Sequence, residues 1–229
     1  MILFAGDSFT WGQGLHYYYM IENQGWSWED CRNFINNSNN NFLSLGFAAD
    51  EFRKKNNFTY LVGENLDIPT SCIRLENGGD NRVIYNMIKN LFGGYITDTN
   101  IDCIIVQFSA PTRTLENGTD RLDDFNNINE FLNFQINRID QFCKTRKIKW
   151  FGISWFTEMG DVLKERYPDN FIPILYNDKE YESFDFEKHL PLRNLTIQYT
   201  ENIDDGHLNL DGHKVVAKSI TDKIKSVIL

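Results

Sequence analysis

Two short stretches near opposite ends of the chain hold the residue types of nucleophilic catalysis. Gly6-Asp7-Ser8-Phe9-Thr10 follows the apolar run Ile2 to Ala5, so a serine stands where a first strand ends in a turn. Near the other end lies Asp204-Asp205-Gly206-His207-Leu208-Asn209. A serine hydroxyl is a weak nucleophile until a base takes its proton. An imidazole does this when a carboxylate fixes its tautomer and steadies the imidazolium. His207 has Asp204 three residues before it and Asp205 two before. The longer reach lets Asp204 fold back onto Nδ1 while Nε2 points outward. The expected set is therefore Ser8 as nucleophile, His207 as base and Asp204 as orienter, with Asp205 open as the alternative carboxylate.

The same residues also have plainer uses. Asp or Ser after a strand caps a helix, and Asn209 or Asp211 suits the cap of a last helix. His207 to Gly212 has part of a calcium-loop pattern, but its first ligand is His and its twelfth position is Lys218. The Gly-x-Ser-x-Gly elbow of another hydrolase class is absent. The chemical reading rests on the two stretches together.

The elements between them alternate. Strand character covers residues 1–6, Cys72 to Leu75, residues 102–108 and Ile148 to Trp155. Helical spacing covers residues 47–62, the run Val83, Ile84, Met87, Ile88, Leu91 after a cap at Asp80 or Asn81, residues 120–146, residues 160–166 and Gly212 to Ile228. Such alternation predicts a parallel sheet between helices, with chemistry at the carboxyl ends of the strands. Residues 11–46 read as an irregular aromatic and Asn-rich loop inserted into a single domain spanning 1–229. Its aromatics, Trp11, Tyr17, Tyr18, Tyr19, Trp26 and Trp28, either wall a pocket or cover the sheet as satellite core, the latter being the plainer use. Residues 168–200 read as irregular, with a strand at Leu195 to Tyr199.

On these residues the chain resembles the GDSL/SGNH hydrolases, flavodoxin-like α/β esterases, lipases and carbohydrate deacetylases with a mostly parallel central sheet. Gly6-Asp7-Ser8-Phe9-Thr10 is similar to that family's first block, Gly78-Gly79-Asp80-Asn81 to its second, and Asp204 with His207 to its Asp-x-x-His. The resemblance implies a three-layer sandwich and an ester hydrolase with Ser8 as nucleophile. It implies an oxyanion hole from the N–H groups of Ser8 and Gly79. The family's third block, Gly-x-Asn-Asp after the third strand, is missing. The stretch Gln107-Phe108-Ser109-Ala110 stands there, and Ser109 takes the place of the donor Asn. Loss of such a donor typically costs about 10²–10³ in turnover. Arg113 either holds an anionic substrate group or pairs with an acidic loop, the structural role being the plainer use.

Bulk properties narrow the alternatives. The 229 residues, 41 % of them apolar, suffice for a substantial core. The net charge of −9 argues against nucleic-acid partners. Four cysteines are spread singly, predicting free thiols, buried at Cys72 and Cys103, and no zinc site. No apolar stretch reaches membrane-spanning length, and Ser8 lies too near Met1 for a removable leader. The expectation is a cytoplasmic or virion-associated protein, with no metal or organic cofactor, acting on a small-molecule or carbohydrate ester. Two other classes remain. One is a binding module that grips a glycan and hydrolyses little, motivated by the missing Asn and the aromatic segment. The other is metal-dependent phosphoester hydrolysis by Asp7, Asp204, Asp205 and His207.

Overall fold

The computed structural model describes residues 1–37, 41–74, 80–94, 100–110, 125 and 127–227. Four parallel strands form its central sheet: β1 (Ile2–Gly6), β2 (Thr70–Arg74), β3 (Cys103–Phe108) and β4 (Lys149–Ser154), in the order β2-β1-β3-β4. A bridge between Gly152 and Phe171 extends the sheet beyond β4, with Gly152 N–H donating to Asn170 O at 2.8 Å.

Alternation along the strands explains the layers, because successive side chains leave opposite faces of a sheet. Ile2 and Phe4 of β1, Cys103 and Ile105 of β3, and Phe151 and Ile153 of β4 face one way. They meet Phe58 and Val62 of α5 (Phe58–Leu66) and Val216, Ile220 and Ile224 of α10 (Leu210–Val227). Leu3, Ala5, Ile104, Val106 and Trp150 face the other way. They meet α6 (Asn81–Gly94), α7 (Ile128–Arg146) and α8 (Thr157–Arg166) through Ile84, Ile88, Leu132, Ile136, Ile139 and Val162. This is the three-layer sandwich expected from the alternating elements. Asp80 caps α6 by accepting from Val83 N–H at 2.8 Å.

Two segments differ from the sequence expectation. Residues 11–46 are largely helical: α1 (Ser8–Trp11) runs into the segment, followed by α2 (Leu15–Gln24), α3 (Trp28–Asn36) and a 3₁₀ turn at Phe42–Leu45. α4 (Phe47–Asn56) follows. Gly12, Gly14 and Gly25, all at positive φ, separate α1, α2 and α3. Ser27 starts α3 with a reciprocal capping box to Asp30. Tyr17, Cys31, Ile197 and Ile203 form a small core of their own, with Tyr18, Trp26, Trp28, Phe34 and Phe42 packed around it. The aromatics of this segment are therefore mostly packing surface, the plainer of their two expected uses. At Leu195 to Tyr199 there is no strand. A 3₁₀ turn at Leu190–Leu195 passes through Thr196 into α9 (Ile197–Glu201). The hairpin of this region lies earlier, at β5 (Ile174–Tyr176) and β6 (Lys179–Tyr181).

All four cysteines are free, and burial pushes the thiols of Cys31, Cys103 and Cys143 up to about 12. Cys72 is half-buried rather than fully enclosed, because β2 is the edge strand. No described helix is long and apolar enough to cross a membrane.

Candidate active site

The turn after β1 is built before it is functional. Asp7 caps α1, its Oδ1 accepting from Phe9 N–H at 3.1 Å, so Ser8 is the first residue of a helix. Gln107, at the end of the neighbouring strand β3, braces the turn from below: its Oε1 accepts from Asp7 N–H and from Thr10 Oγ1, each at 2.9 Å. Asn57 Nδ2 donates to Thr10 O at 2.7 Å, and Arg53 donates to Trp11 O. Gly6 leaves room for this bracing, since a Cβ there would run into Thr10 Oγ1 and Gln107 Oε1. The result holds Ser8 at the carboxyl end of β1, 5 % exposed.

The 203–209 loop arrives from the far end of the chain. Its backbone is pinned on both sides of His207. Ile197 N–H donates to His207 O at 2.9 Å, and Asn209 N–H donates to Leu195 O at 3.0 Å. Asn209 also caps α10, its Oδ1 accepting from Gly212 N–H at 2.8 Å. The capping role foreseen as the plain alternative is thus present at Asn209.

Ser8 and His207 meet: Oγ lies 2.8 Å from Nε2. On the other side of the ring, Nδ1 lies 2.5 Å from Oδ1 of Asp205. An N–H donated from Nδ1 to this carboxylate leaves Nε2 as the acceptor facing the serine. The expected orienter, Asp204, is not the partner. Asp204 is exposed, whereas Asp205 is buried beneath the ring. The reason is local. Asp205 Oδ1 also accepts His207 N–H at 3.0 Å, a turn in which an Asp side chain takes the backbone two residues on. That turn carries the carboxylate directly under the imidazole, and the longer reach from Asp204 is not used. Burial works against ionisation of Asp205, but the His207 ring, its two hydrogen bonds and the Tyr17 hydroxyl hold the carboxyl below the usual range. Asp205 is therefore an anion at neutral pH.

Around the pair, Phe9 lies 4.5 Å from the His207 ring and 5.0 Å from Trp155 between centroids. His213, one turn into α10, stacks on Phe58 and accepts Phe58 N–H at Nδ1. Burial, with His207 and Arg53 nearby, lowers it to about 3, so it stays neutral beside the site.

The other expected residues divide. Ser109 is fully buried at the end of β3, and its backbone is locked by Asn81: Ser109 N–H donates to Asn81 Oδ1 at 2.8 Å, and Asn81 Nδ2 donates to Ser109 O at 3.2 Å. Gly79 and Arg113 lie outside the described residues. The four side chains of the phosphoester alternative do not converge as ligands. Asp204 is exposed, Asp7 caps α1, and both oxygens of Asp205 have donors, from Tyr17 and His207. Among the described residues no group of three or more His, Cys, Asp or Glu side chains forms a metal-like cluster.

Sequence reasoning missed Tyr17, Asn81 and Gln107 as parts of the site. Asn81 reads in the sequence as a helix cap and as the end of the second block, neither of which shows its hold on the Ser109 backbone. Tyr17 sat in an aromatic run that looked like a loop. Gln107 was readable only as the residue replacing part of an expected motif.

No protein-family model matches the sequence, and no curated protein is similar to it. Solved structures are similar in shape. Two mutants of an acetyl-xylooligosaccharide esterase from Geobacillus Stearmophilus align with 97% of this chain and 93% of theirs, at 13% identity and a TM-score of 0.49. A GDSL-like lipase from Parabacteroides merdae aligns with 98% of this chain and 94% of its own, at 15% identity and a TM-score of 0.50. At such identities the likeness is one of architecture. The chain has the α/β fold of the SGNH hydrolases, a central parallel sheet flanked by helices.

Proposed function

We propose that the protein is a serine-dependent ester hydrolase working through Ser8, His207 and Asp205. The observation that carries this reading is the unbroken relay from Ser8 Oγ to His207 Nε2 at 2.8 Å and from His207 Nδ1 to Asp205 Oδ1 at 2.5 Å. Ser8 Oγ attacks the acyl carbonyl and its proton passes to Nε2. Asp205 stabilises the imidazolium that forms. The tetrahedral intermediate collapses, Nε2 returns the proton to the departing alkoxide, and an alcohol leaves. Water then repeats the sequence on the acyl-enzyme, releasing the acid and restoring Ser8.

The oxyanion needs donors where charge develops. Ser8 opens a helix, and first-turn N–H groups have no acceptor within their own helix. Ser8 N–H is the first donor in this reading, Gly79 N–H the second and Ser109 the third. Ser109 would act through its hydroxyl, with Asn81 fixing its backbone.

The finer reading is an O-acetyl ester on a carbohydrate. Supporting it, Phe9 stands beside His207, and Phe186 lies against Gly206 with its ring 5.7 Å from that of half-exposed Tyr199. These rings put aromatic side chains beside the base and its loop, and an exposed aromatic face is a surface on which a sugar ring stacks.

Hydrolysis of p-nitrophenyl acetate and labelling by a fluorophosphonate test the mechanism, and release of acetate from acetylated oligosaccharides tests the substrate. Full turnover by Ser8→Ala would end the proposal. A Ser8 that is neither labelled nor able to turn over an ester would favour the glycan-binding alternative, which the missing third-block Asn and the aromatic segment motivate.

A further inference from the structure

We propose that Tyr17 is a positioning residue of this site: its hydroxyl donates to Oδ2 of Asp205 and so fixes the carboxylate that orients His207. The inference rests on the hydrolase reading for its consequence in catalysis, but its geometry stands apart from it.

Asp205 Oδ1 is occupied from its own loop, by His207 N–H and Nδ1. Those bonds alone leave the other oxygen without an anchor. Tyr17, from α2, supplies it: its O–H donates to Oδ2 at 3.1 Å, and the residue is fully buried. The start of α2 is shaped for this approach. Gly14 precedes the helix at φ +91, where a Cβ would collide with Ile197 and sit 3.6 Å from Asp205 Oδ2. A side chain at this point would press on the Ile197 Cδ1 methyl and strain a backbone at positive φ. The neighbouring helix adds a second tie, Arg32 Nη2 donating to Asn202 O at 2.8 Å. Ile197 and Ile203 pack into the same small core as Tyr17 and Cys31. Thus α2 and α3 hold the acid-bearing loop by an apolar core, a backbone tie and one hydrogen bond to the functional carboxylate.

The effect is separable from neighbouring titrations. Asp205 is faced by Tyr17 and Tyr18 from α2 and by His207 from its own loop. Tyr17 is faced also by Cys31 from α3, and His207 by Ser8 and by His213 of α10. Burial, aided by nearby carboxylates, keeps both tyrosines protonated well above their usual range. Cys31 is pushed up to about 12 and His213 held down to about 3.

Tyr17→Phe retains the ring and its packing and removes only the donor. The bare Oδ2 concentrates negative charge on Asp205, which favours the imidazolium. NMR titration of the His207 ring in histidine-labelled protein should move up by about half a unit to one unit in Tyr17→Phe. The acid limb of kcat/KM should move with it, and kcat/KM should fall about ten- to hundredfold, as for a lost hydrogen bond to a charged group. Trp28→Phe is the control: Trp28 packs against Tyr17, with ring centroids 6.4 Å apart, but takes no part in the bond. Its His207 titration should overlay that of the parent. A titration in Tyr17→Phe that overlays the parent's would overturn the proposal, as would an equal shift in Trp28→Phe. The NMR readout needs no turnover. A parent protein unable to cleave p-nitrophenyl acetate would therefore sink the hydrolase reading while leaving the Tyr17 proposal to be decided by the titration.

Discussion

The turn bearing Ser8 and the loop bearing His207 are braced by different chemistry. The turn is held largely by neutral groups, the Gln107 amide, the Thr10 hydroxyl and the Asn57 amide, with the Asp7 carboxylate capping α1 and Arg53 donating to Trp11 O. The loop and its surroundings are held partly by groups that titrate. Asp205 binds the base, Tyr17 binds Asp205, and His213 lies buried just behind. The Ser8 turn thus leans mainly on amides and a hydroxyl, whereas the His207 ring leans on a carboxylate.

The largest expected effect is on the first region. Ser8→Ala should lower turnover by about 10⁴–10⁶ with folding unchanged, measured by ester hydrolysis beside thermal unfolding. Next comes the contrast within the loop. Asp205→Asn should cost about 10³–10⁴ in kcat, as the amide presents the wrong tautomer to the ring. Asp204→Asn should stay within about twofold, because this side chain is exposed. Equal losses in the two variants would break the assignment of the carboxylate.

Acid should act through two buried rings, His213 behind the loop and His16 packed on Trp11 of the turn. His213 and His16 are buried and held down to about 3, against 6.5 for the free ring. Burial is the main cause in both, with Arg53 adding to it and Asp50 opposing it at His16. Below the unfolded value the unfolded chain binds a proton that the folded protein refuses, so stability falls as pH drops from 6.5 towards 3. Going from neutral to about pH 4.5 should cost of order 2 kcal/mol for each ring, read from denaturant midpoints. Amide exchange should then rise around both rings, at Phe58, whose N–H is bound by His213, and around Trp11, on which His16 packs. The smallest effect sharpens the neutral side. Gln107→Ala should destabilise by about 1–3 kcal/mol by leaving buried donors unsatisfied, and that loss should be the same at neutral and acid pH.

Much of the frame was legible because it depends on period. The strands at residues 2–6 and 103–108 and the helix at 210–227 repeat apolar residues at spacings that burial on one or two faces demands. The segment 15–36 was not legible for the same reason: α2 carries aromatics on several sides, because Tyr17 packs into one core while Tyr18 and Tyr19 meet Trp28 and Phe52. Leu195 to Tyr199 has the composition of a strand. Its backbone instead turns through Thr196, which pairs with Leu208 by a single bridge.

By itself the sequence determined that a strand ends at Gly6 with a serine two residues later, that a histidine flanked by acids precedes the last helix, and that strands and helices alternate between them. These are properties of neighbouring residues, and neighbouring residues are what a sequence records. Tertiary structure decided which acid serves the histidine and that a tyrosine 188 positions away supports it. Those choices turn on which oxygen is buried beneath the ring and which helix reaches it. Burial and distance are set by packing among remote segments, on which linear spacing is silent.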